Sequence, residues 1–128
     1  MPAIEDNDAL FDSQLIIGPS IFAGSALLRH LQAAGEFDIN TSPNRLYLPI
    51  DQALADQIGC SRYAKEPLDS YTQGMLQQLA AIEASPDGQG ALRGDQGSTV
   101  RALEAIRMLQ DTVKVALING DLVLACGS

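Results

Sequence analysis

The sequence predicts an α+β domain that is mostly helical, with two long C-terminal helices packed on a small irregular layer that contains short strands. Apolar residues repeat at helical spacing in two stretches of the second half of the chain, and these repeats predict the helices. Residues 33–54 are apolar but too irregular for one helix, which predicts the layer. The 128 residues suffice for one core, so we expect a single domain from 14 to 128 after an acidic tail from 1 to 13.

The first third of the chain carries short predicted elements. Residues 15–17, Leu-Ile-Ile, form an apolar run that the following Gly-Pro pair stops, which is typical of a short strand or extended segment. Ser20 is expected to cap a helix that carries an apolar stripe and ends near Gly35.

Residues 33–54, AAGEFDINTSPNRLYLPIDQAL, are predicted to form a folded elbow. The short polar side chains between positions 38 and 44 favour compact turns because they hydrogen-bond to nearby backbone. Pro43 keeps the residue before it out of the helical region. A buried strand from Arg45 to Pro49 is expected next, and Asp51 is expected to cap a helix that ends at Gly59.

The first long helix has the clearest predicted start. Ser70 and Gln73 have the spacing of a capping box, and Asp69 adds a carboxylate at the positive end of the helix. The helix is expected to run to about Ala84. The apolar stripe that we expect to face the core consists of Tyr71, Met75, Leu76, Leu79 and Ile82.

Residues 85–97, SPDGQGALRGDQG, are rich in Gly, Asp and Pro and predict a loop without a phosphate-binding pattern. Ser98 or Thr99 is expected to cap the second long helix, and the Asn119-Gly120 pair predicts its end in a left-handed turn. Residues 122–124 are a candidate final strand. The residues expected on the inward face of this helix are Val100, Leu103, Ile106, Leu109, Val113 and Leu117.

The net charge of −8, from 16 acidic and 8 basic residues, argues against some partners. Lys and Arg are scattered, whereas a nucleic-acid-binding surface needs clustered basic residues. We expect no nucleic-acid partner, no membrane partner, and attraction to a basic protein. No run approaches the ~18 apolar residues of a membrane span, and the N-terminal segment lacks the pattern of a secretory signal, so we expect a cytoplasmic protein.

Four segments, AGEFDIN, PNRLYLP, SYTQGM and LQDTVKVALINGDL, resemble the AHH group of toxin nucleases, in the HNH/endonuclease VII (His-Me finger) superfamily. The resemblance extends over roughly residues 13–125, and the order of FDIN, Asn44 and the Leu-Pro pair is its most specific part. Members of this family are typically the C-terminal toxin domains of bacterial polymorphic toxin systems. The resemblance implies a degenerate fold of the His-Me finger type.

The chain lacks the histidines that this family uses. Members carry a His-His pair and a further His, because phosphodiester hydrolysis needs a base that activates water and a metal that stabilises the charged transition state. The positions that match the pair are Gln14 and Leu15, or Leu15 and Ile16 if the alignment shifts by one. Tyr63 stands in place of the later histidine, and Asn44 matches the family's asparagine.

Few other residues could take over the role of the missing histidines. The only histidine, His30, lies in a predicted helix at no motif position. The carboxylates of Asp38, Asp51 and Glu66 are alternative metal ligands, but no spacing favours them. We therefore expect no catalytic residue, no metal and no cofactor.

These observations predict a non-catalytic immunity protein, or antitoxin, that binds and neutralises a cognate nuclease toxin of the AHH type. The lost histidines, a chain that begins at Met1 and an acidity suited to a basic nuclease support this expectation. A second hypothesis is a weakly active metal-dependent nuclease. A third is a degenerate structural homodimer without a toxin partner.

Two segments are candidates for the contact with the toxin: the acidic N-terminus, and the segment in which Lys65 and Glu66 replace the glycines of the family. A tyrosine in an exposed turn is a frequent interface anchor, which favours Tyr63. The candidate contact residues are Glu5, Asp6, Asp8, Asp12, Tyr63, Lys65, Glu66 and Asp69.

Overall fold

Residues 10–125, which a computed structural model describes, form two short strands, six α-helices and one 3-10 turn. The strands are β1 (Phe11–Leu15) and β2 (Arg45–Pro49), and the 3-10 turn (Ser42–Asn44) directly precedes β2. The helices are α1 (Pro19–Ala23), α2 (Ala26–Ala33), α3 (Gln52–Ile58), α4 (Asp69–Ala84), α5 (Pro86–Leu92) and α6 (Gln96–Ile118). The structure is 59% helical, so the predicted class, α+β and mostly helical, is confirmed.

The two strands pair as an antiparallel sheet in which Gln14 lies opposite Leu46 and Asp12 lies opposite Leu48. Opposite residues share a face of the sheet. Gln14 and Leu48 are buried, so this face packs on the core, whereas Tyr47 is exposed on the other face. The predicted strand from Arg45 to Pro49 is confirmed, with Leu48 and Pro49 buried and Tyr47 exposed.

The first strand lies earlier than predicted. It begins at Phe11 and ends at Leu15, so residues 11–13 of the predicted tail are paired with β2. Ile16 and Ile17 follow the strand and are fully buried, and their N–H groups donate to Asn44 rather than to a neighbouring strand. A buried extended segment and a buried strand have the same apolar pattern, and only the partners of the backbone groups distinguish them.

The helix predicted between Ser20 and Gly35 is two helices. Pro19 lies in the first turn of α1, where its missing N–H would have no helical partner, and Ser20 lies inside the helix. The predicted Ser20 cap is therefore wrong. Ser25 caps α2 instead, because its Oγ accepts a hydrogen bond from the Leu28 N–H at 3.2 Å. The predicted end near Gly35 is confirmed, with a φ of 77° at that glycine.

The elbow contains the predicted compact turns. The carboxylate of Asp38 accepts a hydrogen bond from the Asn40 N–H at 2.8 Å. After β2, Asp51 caps α3 by accepting from the Leu54 N–H at 3.0 Å, and Gly59 ends the helix with a φ of 86°. Both predicted boundaries of α3 are confirmed.

The predicted capping box of the first long helix is wrong. Leu68 precedes α4 without a side-chain cap, and Ser70 lies in the first turn. Asp69 does place its carboxylate in that turn, and the predicted end at Ala84 is confirmed. The predicted stripe faces the core, and its buried members are Tyr71, Met75 and Leu79.

Residues 85–97 are mostly helical, so the predicted loop is wrong. The Oγ of Ser85 caps α5 by accepting from the Gly88 N–H at 3.1 Å, and only residues 93–95 connect α5 to α6. Gly88 and Gly90 are buried against the neighbouring helices, where a Cβ on Gly90 would lie 2.5 Å from the Ser98 Cβ. Gly88 and Gly90 therefore permit close helix packing, whereas Gly94, with a φ of 86°, lies in the short connection to α6.

Asp95 caps α6, because its Oδ2 accepts from the Ser98 N–H at 2.8 Å; the predicted cap at Ser98 or Thr99 is wrong. This hydrogen bond lowers the pKa of the Asp95 carboxyl. Val100, which was expected to face inward, is 48% exposed. The helical step places Val100 about 120° around the axis from the buried Ile106, at the edge of the inward face.

The C-terminal end of the described chain packs back on the domain. Gly120 ends α6 with a φ of 76°, as predicted, but residues 122–124 form no strand, so that prediction is wrong. Leu124 is fully buried, and its carbonyl accepts from the Leu68 N–H at 2.8 Å. The Ser61 hydroxyl donates to the Leu122 carbonyl. These contacts join the end of α6 to the start of α4.

One hydrophobic core connects the sheet and the helices. It combines the two isoleucines after β1 with the buried faces of α2, α4 and α6 and with Leu124. Within residues 10–125, none of the helices is long and apolar enough to cross a membrane.

Candidate functional site

Asn44, at the end of the 3-10 turn, is fully buried and makes the largest set of side-chain hydrogen bonds near β1. Its Nδ2 donates to the carbonyls of Ile17 at 2.8 Å and Ile39 at 2.9 Å. Its Oδ1 accepts from the Ile17 N–H at 2.8 Å and from Gln110 Nε2 at 3.1 Å. A carboxamide has two donors and two acceptor sites, so this side chain is fully used in holding the elbow, the end of β1 and α6 together.

Gln14, the first position that matches a family histidine, is also tied to the backbone. Its Oε1 accepts from the Ala64 N–H at 2.8 Å, and its Nε2 donates to the Leu15 carbonyl at 3.3 Å. The neighbouring Tyr63 N–H donates to the Pro49 carbonyl at 2.7 Å. These bonds attach the segment after α3 to both strands of the sheet.

A cavity of about 650 Å³ opens where that segment meets β1, and we name it the β1 cavity. Six of the residues predicted from the sequence line it: Gln14, Leu15, Tyr63, Lys65, Glu66 and Asp69. The other lining residues are Ser13, Gly18, Pro19, Ser20, Ile21, Ala64, Pro67 and Thr72.

Tyr71 fixes the start of α4 beside this cavity. Its phenol donates a hydrogen bond of 2.6 Å to the Ile16 carbonyl. Burial raises the pKa of the Tyr71 phenol above its usual range, so the hydroxyl stays protonated and remains a donor. Asp69 and Thr72, on the same turn of the helix, therefore have a fixed position on the cavity wall.

The cavity presents a charged rim over an amide and hydroxyl wall. Lys65, Glu66 and Asp69 are exposed, and Tyr63 is half-buried. Gln14 cannot act as a base at neutral pH, because a carboxamide does not titrate there. The rim is suited to ion pairs and hydrogen bonds with a partner, and the tyrosine supplies a flat apolar surface between them.

Of the remaining predicted contact residues, the structure describes Asp12. Asp12 is exposed on β1 and does not line the cavity. Glu5, Asp6 and Asp8 lie outside the described residues. Ile16, which the alternative alignment would match to a histidine, is a fully buried core residue.

The three carboxylates considered as metal ligands are separated. Asp51 caps α3, Asp38 lies in the elbow, and Glu66 lies on the rim of the β1 cavity. Among residues 10–125, no group of three or more His, Cys, Asp or Glu side chains is arranged to hold a metal ion. His30, the only histidine of the chain, is half-buried on α2 and does not line the cavity.

A second concave surface was missed by the sequence analysis. It is a groove of about 1300 Å³ between residues 32–43 and the first half of α6, and we name it the α6 groove. Met108 is 68% exposed on its wall, beside Val100. The sequence signal for this groove was Met108, an apolar residue outside the predicted inward face of the helix. Val100 was assigned to the core with the rest of that face.

Comparison of the chain with protein-family models, with curated proteins and with solved structures finds no match.

Proposed function

We propose that this protein is a non-catalytic immunity protein, or antitoxin, that binds a cognate nuclease toxin of the AHH type. One observation carries the proposal: Gln14, Leu15 and Tyr63, the positions that the resemblance matches to catalytic histidines, line a single cavity although Tyr63 is distant in sequence from the other two. A cavity that gathers these positions without a histidine is what a binding protein descended from the nuclease would retain.

The hydrogen bonds at these positions support binding over catalysis. The amides of Gln14 and Asn44 are used by backbone groups, so they stabilise the shape of the region. Hydrolysis of a phosphodiester needs a base that works near neutral pH and a metal ion or other cation that stabilises the negative charge developing in the transition state. The hydroxyls and the phenol on the wall, with the charged side chains of the rim, supply recognition groups instead.

The charge of the molecule supports a basic protein partner. The net charge of −8 attracts a nuclease whose surface is basic enough to bind nucleic acid. Glu66 and Asp69 on the rim would meet that surface directly, with Tyr63 as the apolar anchor. A cytoplasmic location follows from this proposal, since an immunity protein must meet its toxin where the nucleic acid is.

The test is isothermal titration calorimetry with the nuclease domain of the proposed cognate toxin. We expect a complex, and we expect the pair Glu66→Lys and Asp69→Lys to weaken it at least about tenfold, equivalent to about 1.4 kcal/mol. The matched control is the pair Asp56→Lys and Asp121→Lys, which makes the same change in net charge at exposed positions outside the cavity. No complex with the wild-type protein would refute the proposal.

The alternative of a weakly active nuclease predicts a different result. Plasmid DNA would be incubated with the protein at micromolar concentration and with Mg²⁺, Mn²⁺ or Zn²⁺. The immunity proposal expects no cleavage above buffer. Cleavage that disappears in Glu66→Gln with Asp69→Asn would favour the nuclease.

A further inference from the structure

The α6 groove has the composition of a protein-docking surface. Its apolar wall includes Met108, 68% exposed, and Val100, 48% exposed, with Phe37 and Leu103 half-buried beside them. Val100 and Met108 lie on one row of α6 and are separated by about 12 Å along the axis. Exposed methionine is frequent on surfaces that bind apolar helix faces, because its side chain is flexible and polarisable.

Acidic side chains lie beside this apolar wall and, at Glu104, within it. Glu36 and Asp38 lie on the elbow side, and Glu104 lies on α6 between Val100 and Met108. Arg107 is the only basic residue that lines the groove among the described residues. The groove therefore favours a partner that combines apolar side chains with positive charge.

Size and charge argue against other occupants of the groove. A volume of about 1300 Å³ exceeds the roughly 300–1000 Å³ typical of small-molecule sites. The acidic border repels phosphate groups, whether of nucleic acid or of anionic lipid. A second copy of this chain would place its own acidic surface, including the exposed Glu104 and Asp111 of its α6, against the acidic groove. Each copy has a net charge of −8, so the two copies would repel each other.

We infer that the α6 groove binds a basic amphipathic helix of a partner protein, with the apolar face of that helix against Val100, Leu103 and Met108 and its basic residues near Glu36, Asp38 and Glu104. The length of the row on α6 matches about two turns of a bound helix. The inference does not depend on the proposed toxin, because the α6 groove shares no lining residue with the β1 cavity.

Fluorescence anisotropy with a labelled peptide tests the inference. The probe is a synthetic helix of about 14 residues in which Leu recurs at i, i+3, i+4 and i+7 and the other positions are Lys. We expect saturable binding to the wild-type protein, and at least about tenfold weaker binding to the pair Glu36→Lys and Glu104→Lys. The pair Asp56→Lys and Asp121→Lys, with the same net charge, is expected to bind within about twofold of wild type.

Substitutions of apolar residues show whether the peptide binds in the groove or is attracted only by the overall charge of the protein. Met108→Gln is expected to weaken peptide binding severalfold, whereas Val115→Gln, at a 57% exposed position of α6 outside the groove, is expected to leave it unchanged. Thermal melts by circular dichroism confirm that each variant is folded.

Three results would overturn the inference. The first is no binding of the Leu/Lys peptide at about 100 μM, and the second is equal binding of a Leu/Glu peptide of the same length. The third is that the wild-type protein is a dimer in sedimentation velocity, that Met108→Gln dissociates this dimer, and that the Leu/Lys peptide does not. A second copy of the chain would then occupy the groove.

Discussion

The carboxamide of Asn44 holds together three segments that are distant in sequence: the end of β1, the elbow and α6. The resemblance to nucleases implied a site residue at this position, and the structure shows a buried side chain whose four hydrogen-bonding sites are occupied within the protein. An amide buried in this way stabilises one arrangement of the backbone, because each alternative leaves polar groups without partners.

We expect Asn44→Ala to lower the free energy of unfolding by roughly 3 kcal/mol or more. The change leaves buried groups of Ile17 and Ile39 without partners, at about 1–3 kcal/mol each. Asn44→Asp, which keeps the shape but replaces two donors with acceptors, is expected to be comparably destabilising at neutral pH. Urea unfolding followed by far-UV circular dichroism measures both.

The matched control for Asn44 is Asn40→Ala, at an exposed position of the same elbow, where we expect a change within about 0.5 kcal/mol. If Asn44→Ala were as stable as Asn40→Ala, the hydrogen bonds of Asn44 would not be stabilising the fold.

At the scale of elements, α4, α5 and α6 pack closely because glycines lie at their contacts. A Cβ at Gly88 would lie 2.5 Å from the Glu83 carbonyl oxygen and closer still to that of Ile82, both on the backbone of α4. Backbone cannot move aside as a flexible side chain can, so α5 tolerates only glycine at this contact. The segment that the sequence predicts to be a loop is therefore a helix, and its packing against the neighbouring helices stabilises it.

We expect Gly88→Ala to destabilise the protein by about 2 kcal/mol or more, through overpacking against α4. Gly74→Ala is the matched control, because Gly74 lies in the middle of α4 and a Cβ there meets nothing within 4 Å. This second change is expected to stabilise the helix by roughly 0.5–1 kcal/mol, since alanine has less freedom to lose on folding. Chemical denaturation compares the two; equal effects of the same sign would contradict the packing account.

On the scale of the whole molecule, the segment after α6 closes the core. Leu124 is fully buried, and hydrogen bonds join this segment to Leu68 and Ser61 across the domain. The contacts couple the C-terminal end of α6 to the entry of α4 and to the segment that carries Tyr63. The shape of the β1 cavity therefore depends on residues that do not line it.

We expect Leu124→Ala to lower the free energy of unfolding by about 2–5 kcal/mol, from lost burial and the cavity it leaves. Val123→Ala, at a neighbouring side chain that is 55% exposed, is expected to change it by less than about 0.5 kcal/mol. Thermal and urea unfolding measure both variants. A small effect of Leu124→Ala would show that this segment is not part of the cooperative core.

The sequence by itself determined the features that depend on local chemistry. The stripe of α4, the strand from Arg45 to Pro49, the Asp51 cap and the helix ends at Gly35, Gly59 and Gly120 were predicted, because each depends on spacing or on one backbone angle. Six of the candidate residues named from the sequence line one cavity, but the sequence did not place them together; their role there stays a prediction.

Only the tertiary structure decided the features that depend on distant partners. The Leu68 N–H, at the start of α4, donates to the Leu124 carbonyl, and β1 ends at Leu15 because Asn44 takes the next backbone N–H groups. The helix between residues 86 and 92 and the α6 groove likewise arise from contacts between elements far apart in the chain. Packing and hydrogen bonding across the molecule outweigh local preferences of about 1 kcal/mol or less per residue, and a linear pattern does not contain the identity of those partners.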